Sequence, residues 1–240
     1  LEDSKDVQTS NFCGLMGVLL GLAVTIDLPS AIFVFILVIL FICKFSKINV
    51  LWGFVGASIP LLIHSGIMVS LSGSPLPFQL NHDLYLYEES YWRSPVGVDA
   101  LNHSWGLYLF NMTFGRVGHF IMYPLLFVGA MGLFIEARRK DSPQRWWCAG
   151  GLGALCVLMV YYLSSTNNYG GVSFGFRWLI IATPFLLMGL VLLLQQIKSR
   201  FAIGLVCVLL MIGLFSTYQC RMAPWSLHHE WPVKIYGRLY

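Results

Sequence analysis

Two strongly apolar runs are joined by a polar, glycine-rich stretch, Ser164–Trp178 (SSTNNYGGVSFGFRW), which holds one charge, Arg177. The apolar pattern predicts a helix over Trp178–Gln195, with Arg177 at its positive end. A cation is disfavoured there unless an anion or an acceptor lies close by. Arg177 is therefore the first candidate for binding an anionic group. Gly170, Gly171 and Gly175 allow backbone to approach a bound molecule, while Asn167, Asn168, Tyr169 and Ser173 bring hydrogen-bonding groups to the membrane edge. The alternative is a tight interhelical loop whose arginine snorkels to lipid phosphates.

A second candidate is Asp27, in the interruption Thr25-Ile26-Asp27-Leu28-Pro29 of the otherwise apolar run Phe12–Cys43. A single helix over 32 residues would be about 48 Å long, against a hydrocarbon core of about 30 Å. Two short helices are expected instead, with Pro29 in the first turn of the second. Non-helical backbone at that depth must be buried in protein or line a wet cavity, so Asp27 is a site candidate, with helix capping as the equal alternative. His64, one turn beyond Pro60 in the run Ile48–Leu71, reads as a packing residue.

The elements that carry these residues follow from composition. Hydrophobic residues make up 57% of the 240 and charged residues 11%. Mean hydropathy is +0.71. These values exclude an ordinary soluble domain and predict an all-α, polytopic transmembrane bundle of about six or seven membrane helices forming a single domain over 1–240. Further spans are expected over Val117–Ala137, Trp146–Leu163 and Phe201–Tyr218, with Gly106–Arg116 a short interfacial helix. The six cysteines share no metal-ligand spacing and read as small buried hydrophobes, and His228 and His229 in the tail are a weak metal signal. No metal or other cofactor is indicated. There is no P-loop, dinucleotide fingerprint, HExxH motif or internal repeat. The chain opens on a polar lead, LEDSKDVQTSN, without a signal peptide, and reads as part of a longer protein.

The net charge of +4 does not mark a nucleic-acid partner, because Lys44, Lys47, Arg138, Arg139, Lys140, Arg145, Lys198 and Arg200 gather in three short loops that alternation puts on one side. The positive-inside rule makes that side cytoplasmic. The segment Ser72–Trp105 is then an outer loop, continuing to residue 116 with the interfacial helix. It mixes Asp83, Glu88, Glu89 and Asp99 with Tyr85, Tyr87, Tyr91 and Trp92, which suits carbohydrate or, equally simply, an interfacial aromatic belt. The linker and the tail share that outer face.

Three segments carry a family resemblance. Gly14–Pro29 (GLMGVLLGLAVTIDLP), Asn111–Pro124 (NMTFGRVGHFIMYP) and Tyr169–Pro184 (YGGVSFGFRWLIIATP) resemble, in order, segments of the GT-C fold glycosyltransferases that use polyprenyl-phosphate sugars, a group including protein mannosyltransferases and aminoarabinose transferases. Asp27 stands where many of those enzymes carry lysine. The resemblance implies sugar transfer from a lipid-linked donor on the outer face of a bacterial inner membrane, with membrane lipids and the donor as partners. It places the matched segments late in such enzymes, after the outer loop that holds the family's catalytic acid. That carboxylate and an N-terminal portion are therefore expected outside this chain, and the catalytic residues are unknown. A lipid-phosphate donor needs a cation for the phosphate, a base for the acceptor hydroxyl and a groove for the prenyl chain. Arg177 is the first choice for the phosphate, then Arg93 and Arg116, with Asp27 and His119 as residues that shape the cavity. The competing class is a non-catalytic module such as a transporter half or an assembly subunit. Only one helix break is evident, whereas a transporter favours paired breaks in matching halves.

Overall fold

A computed structural model describes residues 2–166, 168–171, 173–222, 224–225 and 231–237, with side chains from residue 9 onward. Asn167, His228 and His229 lie outside the described residues. Among those described the fold is all-α and contains no strand. It divides into two compact units, Leu1–Pro95 and Val96–Tyr240.

In the first unit, α1 (Glu2–Ile26) packs along α3 (Lys47–Ser72), with α2 (Ala31–Lys44) beside them. The break falls at Asp27, followed by a single 3-10 turn, Leu28–Ser30, that takes Pro29 ahead of α2. Proline cannot donate to the preceding turn, so the helix ends there. The expectation of two short helices is corrected on one side. The polar lead is helical, which makes α1 25 residues, about 38 Å, and leaves only α2 short at 14 residues, about 21 Å. Gly17 and Gly56 bring α1 and α3 into backbone contact, since a Cβ at either would overlap the carbonyl of Gly53 or Gly14 respectively. The helix continues through Pro60, whose ring lies where a side chain on Gly21 would be. The loop beyond contains the one-turn helix α4 (His82–Tyr85) and two 3-10 turns before Pro95.

In the second unit, α5 (Trp105–Thr113) leads through Gly115 and Gly118 to the one-turn α6 (His119–Met122) and then α7 (Pro124–Arg138). The expected continuous span over 117–137 is therefore broken. Pro124 lacks the N–H that would bond the carbonyl of Phe120, and the chain restarts as a helix of 15 residues with proline in its first turn. Next come α8 (Arg145–Ser165), the linker, α9 (Thr183–Leu194), α10 (Arg200–Met222) and α11 (Trp231–Tyr236). Glycines also set the pairing of α7 with α9: Gly129 and Gly132 face the backbone of Leu186 and Gly189. At one end of this unit the carboxylate of Glu136 accepts from Arg139 (3.2 Å) and from Gln196 (3.2 Å), so the basic loops after α7 and α9 lie together. At the other end the amide of Phe176 donates to the carbonyl of Val117 (2.8 Å) and that of Phe174 to Pro224 (3.0 Å), which seats the linker against α6 and the tail.

Among the described residues five segments are long and apolar enough to cross a membrane: Thr9–Ile26, Lys47–Ser72, Arg145–Ser165, Arg177–Leu194 and Arg200–Met222, with Leu28–Lys44 a shorter apolar helix. Within the Arg200–Met222 span only 6% of residues are covered by protein, so the apolar remainder requires a non-aqueous surround. The chain is a multi-pass membrane protein. The cysteine expectation is corrected for the same reason. Cys13 and Cys148 are buried, but Cys43, Cys156 and Cys207 are exposed among the described residues.

Candidate functional site

The linker end of the second unit brings together chemistry from three parts of the chain. Tyr169 lies at its centre, 2% exposed. Its ring stacks on Tyr108 of α5, with centroids 4.6 Å apart and planes at 16°. Phe176 meets Tyr162 edge-on, and Tyr162 in turn stacks on Trp178 at 4.7 Å, which continues the aromatic floor under the linker. The Tyr108 hydroxyl bonds Thr166 Oγ1 (2.7 Å) and donates to the carbonyl of Asn168, fixing where the linker leaves α8.

Asn111 is fully buried and orients the Tyr169 hydroxyl. The amide of Arg116 donates to Asn111 Oδ1 (3.4 Å), so Nδ2 faces the other way and donates to Tyr169 Oη (3.1 Å). The remaining neighbour of Tyr169 Oη is His103 Nδ1, at 2.8 Å. Burial pushes the Tyr169 phenol up to about 12 and raises Tyr108 further, so both stay protonated at neutral pH. Burial, and then the charge of Arg116, hold His103 below the ordinary histidine value.

Two arginines flank this floor. Arg177 is exposed, and its side chain makes no hydrogen bond or ion pair among the described residues. It lies across Gly170, where a Cβ would meet Arg177 Cγ at 3.0 Å and Nε at 3.3 Å and press on the arginine stem; Gly170 also has φ +98°, which favours glycine. Arg116 is half-buried, and its Nε donates to the carbonyls of Gly237 (3.0 Å) and Tyr236 (3.3 Å) at the end of α11. Tyr236 meets Phe110 edge-on at 5.6 Å, which seats that short helix beside α5.

The predicted helix over 178–195 requires correction. Residues Arg177–Ala182 form a 3-10 segment, and the α-helix begins at Thr183. Pro184 has no N–H for Ile180, so the amide of Thr183 takes that carbonyl in a tighter turn. The α-helical dipole therefore does not begin at Arg177, and the case for this residue rests on its lack of a partner among the described residues and on Gly170.

The other sequence-derived candidates fall in different settings. Asn168 shapes the turn: its Oδ1 accepts from the amide of Gly170 (2.9 Å). His119 is buried at 4% exposure, its Nε2 without a partner among the described residues, next to the rings of Phe120 and Tyr123. It belongs to the packing behind the linker and not to the exposed face. Asp27 and Arg93 belong to the first unit. Asp27 is half-buried and makes no side-chain capping bond to the 3-10 turn. Beside the break lies a cavity of about 150 Å³ lined by Thr25, His64 and Gln79 together with apolar side chains. Arg93 donates through Nε to the carbonyl of Leu86 (2.7 Å), closing a loop in which Trp92 stacks on Tyr85.

Sequence reasoning missed His103, Tyr108, Asn111 and Glu136. Tyr108 and Asn111 are three apart on one helix face, and an asparagine inside an aromatic helical segment was the available signal. Among the described residues no group of three or more His, Cys, Asp or Glu could hold a metal ion. No family model, curated protein or solved structure matches this chain.

Proposed function

We propose that the linker end of the second unit binds the phosphate of a lipid-linked sugar, and that the full-length protein transfers that sugar on the extracytoplasmic face of a bacterial inner membrane. The observation that carries this reading is Arg177. An arginine that is exposed at the end of a membrane helix, has no partner among the described residues and lies over a glycine that leaves room for its stem is free to grip an anion. The resemblance of Tyr169–Pro184 to the corresponding GT-C segment points to the same residue.

In the transfer, the bond between the sugar's anomeric carbon and the phosphate oxygen breaks, and a bond from that carbon to an acceptor hydroxyl forms. The phosphate leaves with the electron pair, and the hydroxyl proton passes to a base. Arg177 stabilises the phosphate as its negative charge grows, through two parallel hydrogen bonds. Tyr108, Tyr169 and Asn111 set the linker from which Arg177 projects. Burial raises both phenols, so each holds its proton at neutral pH. No residue of this chain is assigned the role of the base.

The test is sugar transfer by the full-length protein with a synthetic polyprenyl-phosphate sugar and a panel of acceptors. Wild type is expected to transfer, Arg177→Ala to lose nearly all turnover, and Arg177→Lys to fall in between. Transfer unchanged in Arg177→Ala would remove the site.

A further inference from the structure

The hydrogen-bond pattern around Tyr169 fixes the position of a proton elsewhere. Asn111 donates to Tyr169 Oη, and the direction of that bond is set by the Arg116 amide, which can only donate to Asn111 Oδ1. Tyr169 carries one proton of its own. It is buried, and His103 Nδ1, at 2.8 Å, is the only other partner of its hydroxyl among the described residues. A buried hydroxyl proton without an acceptor is costly, so Tyr169 donates to Nδ1. His103 Nδ1 must then be bare, and the ring proton sits on Nε2.

That Nε2–H makes no hydrogen bond among the described residues, yet it is not one of their fully buried atoms that lack a partner. It therefore keeps some accessible surface and is not sealed in by the described residues. His103 is only half-buried, and it stands against Tyr169, whose neighbour Gly170 carries the stem of Arg177. The charge of Arg116 acts on it, Tyr169 and, stacked behind, Tyr108 are its titratable ring neighbours, and the Asp99 carboxylate lies against Gly171 of the same linker, 3.8 Å from where a Cβ would stand. With its acceptor nitrogen occupied and its other nitrogen protonated, this imidazole cannot serve as a base; it is a fixed donor within the field of Arg116.

We propose that His103 is a further binding residue of the site, a neutral imidazole held as the Nε2–H tautomer by Tyr169 that donates to a phosphate oxygen of the lipid headgroup. This rests on the lipid-phosphate reading above. The hydrogen bond is to a charged acceptor, so its loss is expected to weaken binding about tenfold.

The experiment uses the full-length protein in nanodiscs, titrated with a polyprenyl monophosphate. Asparagine places its amide near the position of Nδ1 and glutamine near that of Nε2. His103→Asn therefore keeps the contact with Tyr169 but loses the outward donor, and His103→Gln keeps the donor. The expected result is that His103→Asn melts like wild type and binds about tenfold more weakly, while His103→Gln binds within about threefold of wild type. Nitrogen-15 spectra of labelled histidine are expected to show the His103 proton on Nε2. Wild-type affinity in His103→Asn, or a proton on Nδ1, would overturn the assignment. Displacement of the lipid by an equal concentration of inorganic phosphate would overturn the choice of a lipid ligand. Arg177→Ala is measured alongside. If it weakens binding while His103→Asn does not, only the role of His103 falls; if neither changes affinity, the phosphate site itself is refuted.

Discussion

Replacing Gly189 with alanine isolates what holds the second unit together. A Cβ at Gly189 would lie 2.6 Å from Leu133 Cγ and 2.8 Å from the Leu133 amide nitrogen, and would overlap the carbonyl of Gly129. Two of those atoms are backbone of α7, so no rotamer change relieves the clash and the helices must separate. Overpacking of this kind costs about 1–3 kcal/mol, against which alanine regains about 0.5–1 kcal/mol of helix propensity. Gly153 in α8 is the internal control, because a Cβ there meets nothing within 4 Å. Gly153→Ala is expected to gain the propensity term alone. The two variants should differ by about 2 kcal/mol, or on the order of 4–8 °C in melting temperature for a protein of this size. The assay is thermal unfolding of each purified variant in one detergent. A Gly189→Ala protein that melts at or above Gly153→Ala would refute the reasoning, and with it the view that backbone contact sets the α7–α9 pairing.

Other outcomes follow from the same geometry. Glu136 is 4% exposed and joins the ends of α7 and α9, so Glu136→Ala should destabilise by about 1–3 kcal/mol, and a double-mutant cycle with Gln196→Ala should show coupling of about 0.5–1 kcal/mol. Additive effects would show that contact to be idle. Because His103 is held below the ordinary value near 6.5, the unfolded chain takes up its proton first as pH falls. Stability from this group is full above about pH 6.5 and declines below it, a decline that His103→Gln should remove; an unchanged pH profile would contradict the half-buried setting near Arg116. Cysteines placed at Asn81 and Asn168 of a cysteine-free protein should react with an impermeant reagent added to intact cells, whereas one at Ser142 should not, and labelling of Ser142 would reverse the orientation.

What the sequence made legible is what local chemistry dictates. Apolar runs marked the spans, and Pro29 marked the break at Asp27. The glycines of 170–175 marked a linker whose backbone leaves the usual regions, with φ +98° at Gly170 and +71° at Gly175, where a Cβ would meet Met122 Cε at 2.7 Å. Pro124 and Pro184 carried the same kind of signal, but each sits inside an apolar run long enough to read as one span, and hydropathy outweighed it. The cluster about Tyr169 was not legible. Its bonds to Asn111 and His103 join residues 58 and 66 positions apart, and no periodicity encodes such a pairing. Glu136 was hidden because a single carboxylate three residues before Arg139 looks like the end of a span and not like the tie to a helix 60 residues later.

The central claim is that Arg177 grips a lipid phosphate. Lysine reaches a headgroup as well as arginine does, but it cannot offer the paired, parallel donors. The most direct measurement is the affinity of purified wild-type and Arg177→Lys protein for a polyprenyl-phosphate sugar, titrated under identical conditions. Loss of one charge-assisted bond of about 1.5–3 kcal/mol predicts roughly ten- to a hundredfold weaker binding in the lysine variant with folding retained. Equal affinity in the two proteins would contradict the account, because an arginine that merely snorkels to the membrane surface is replaced by lysine without loss.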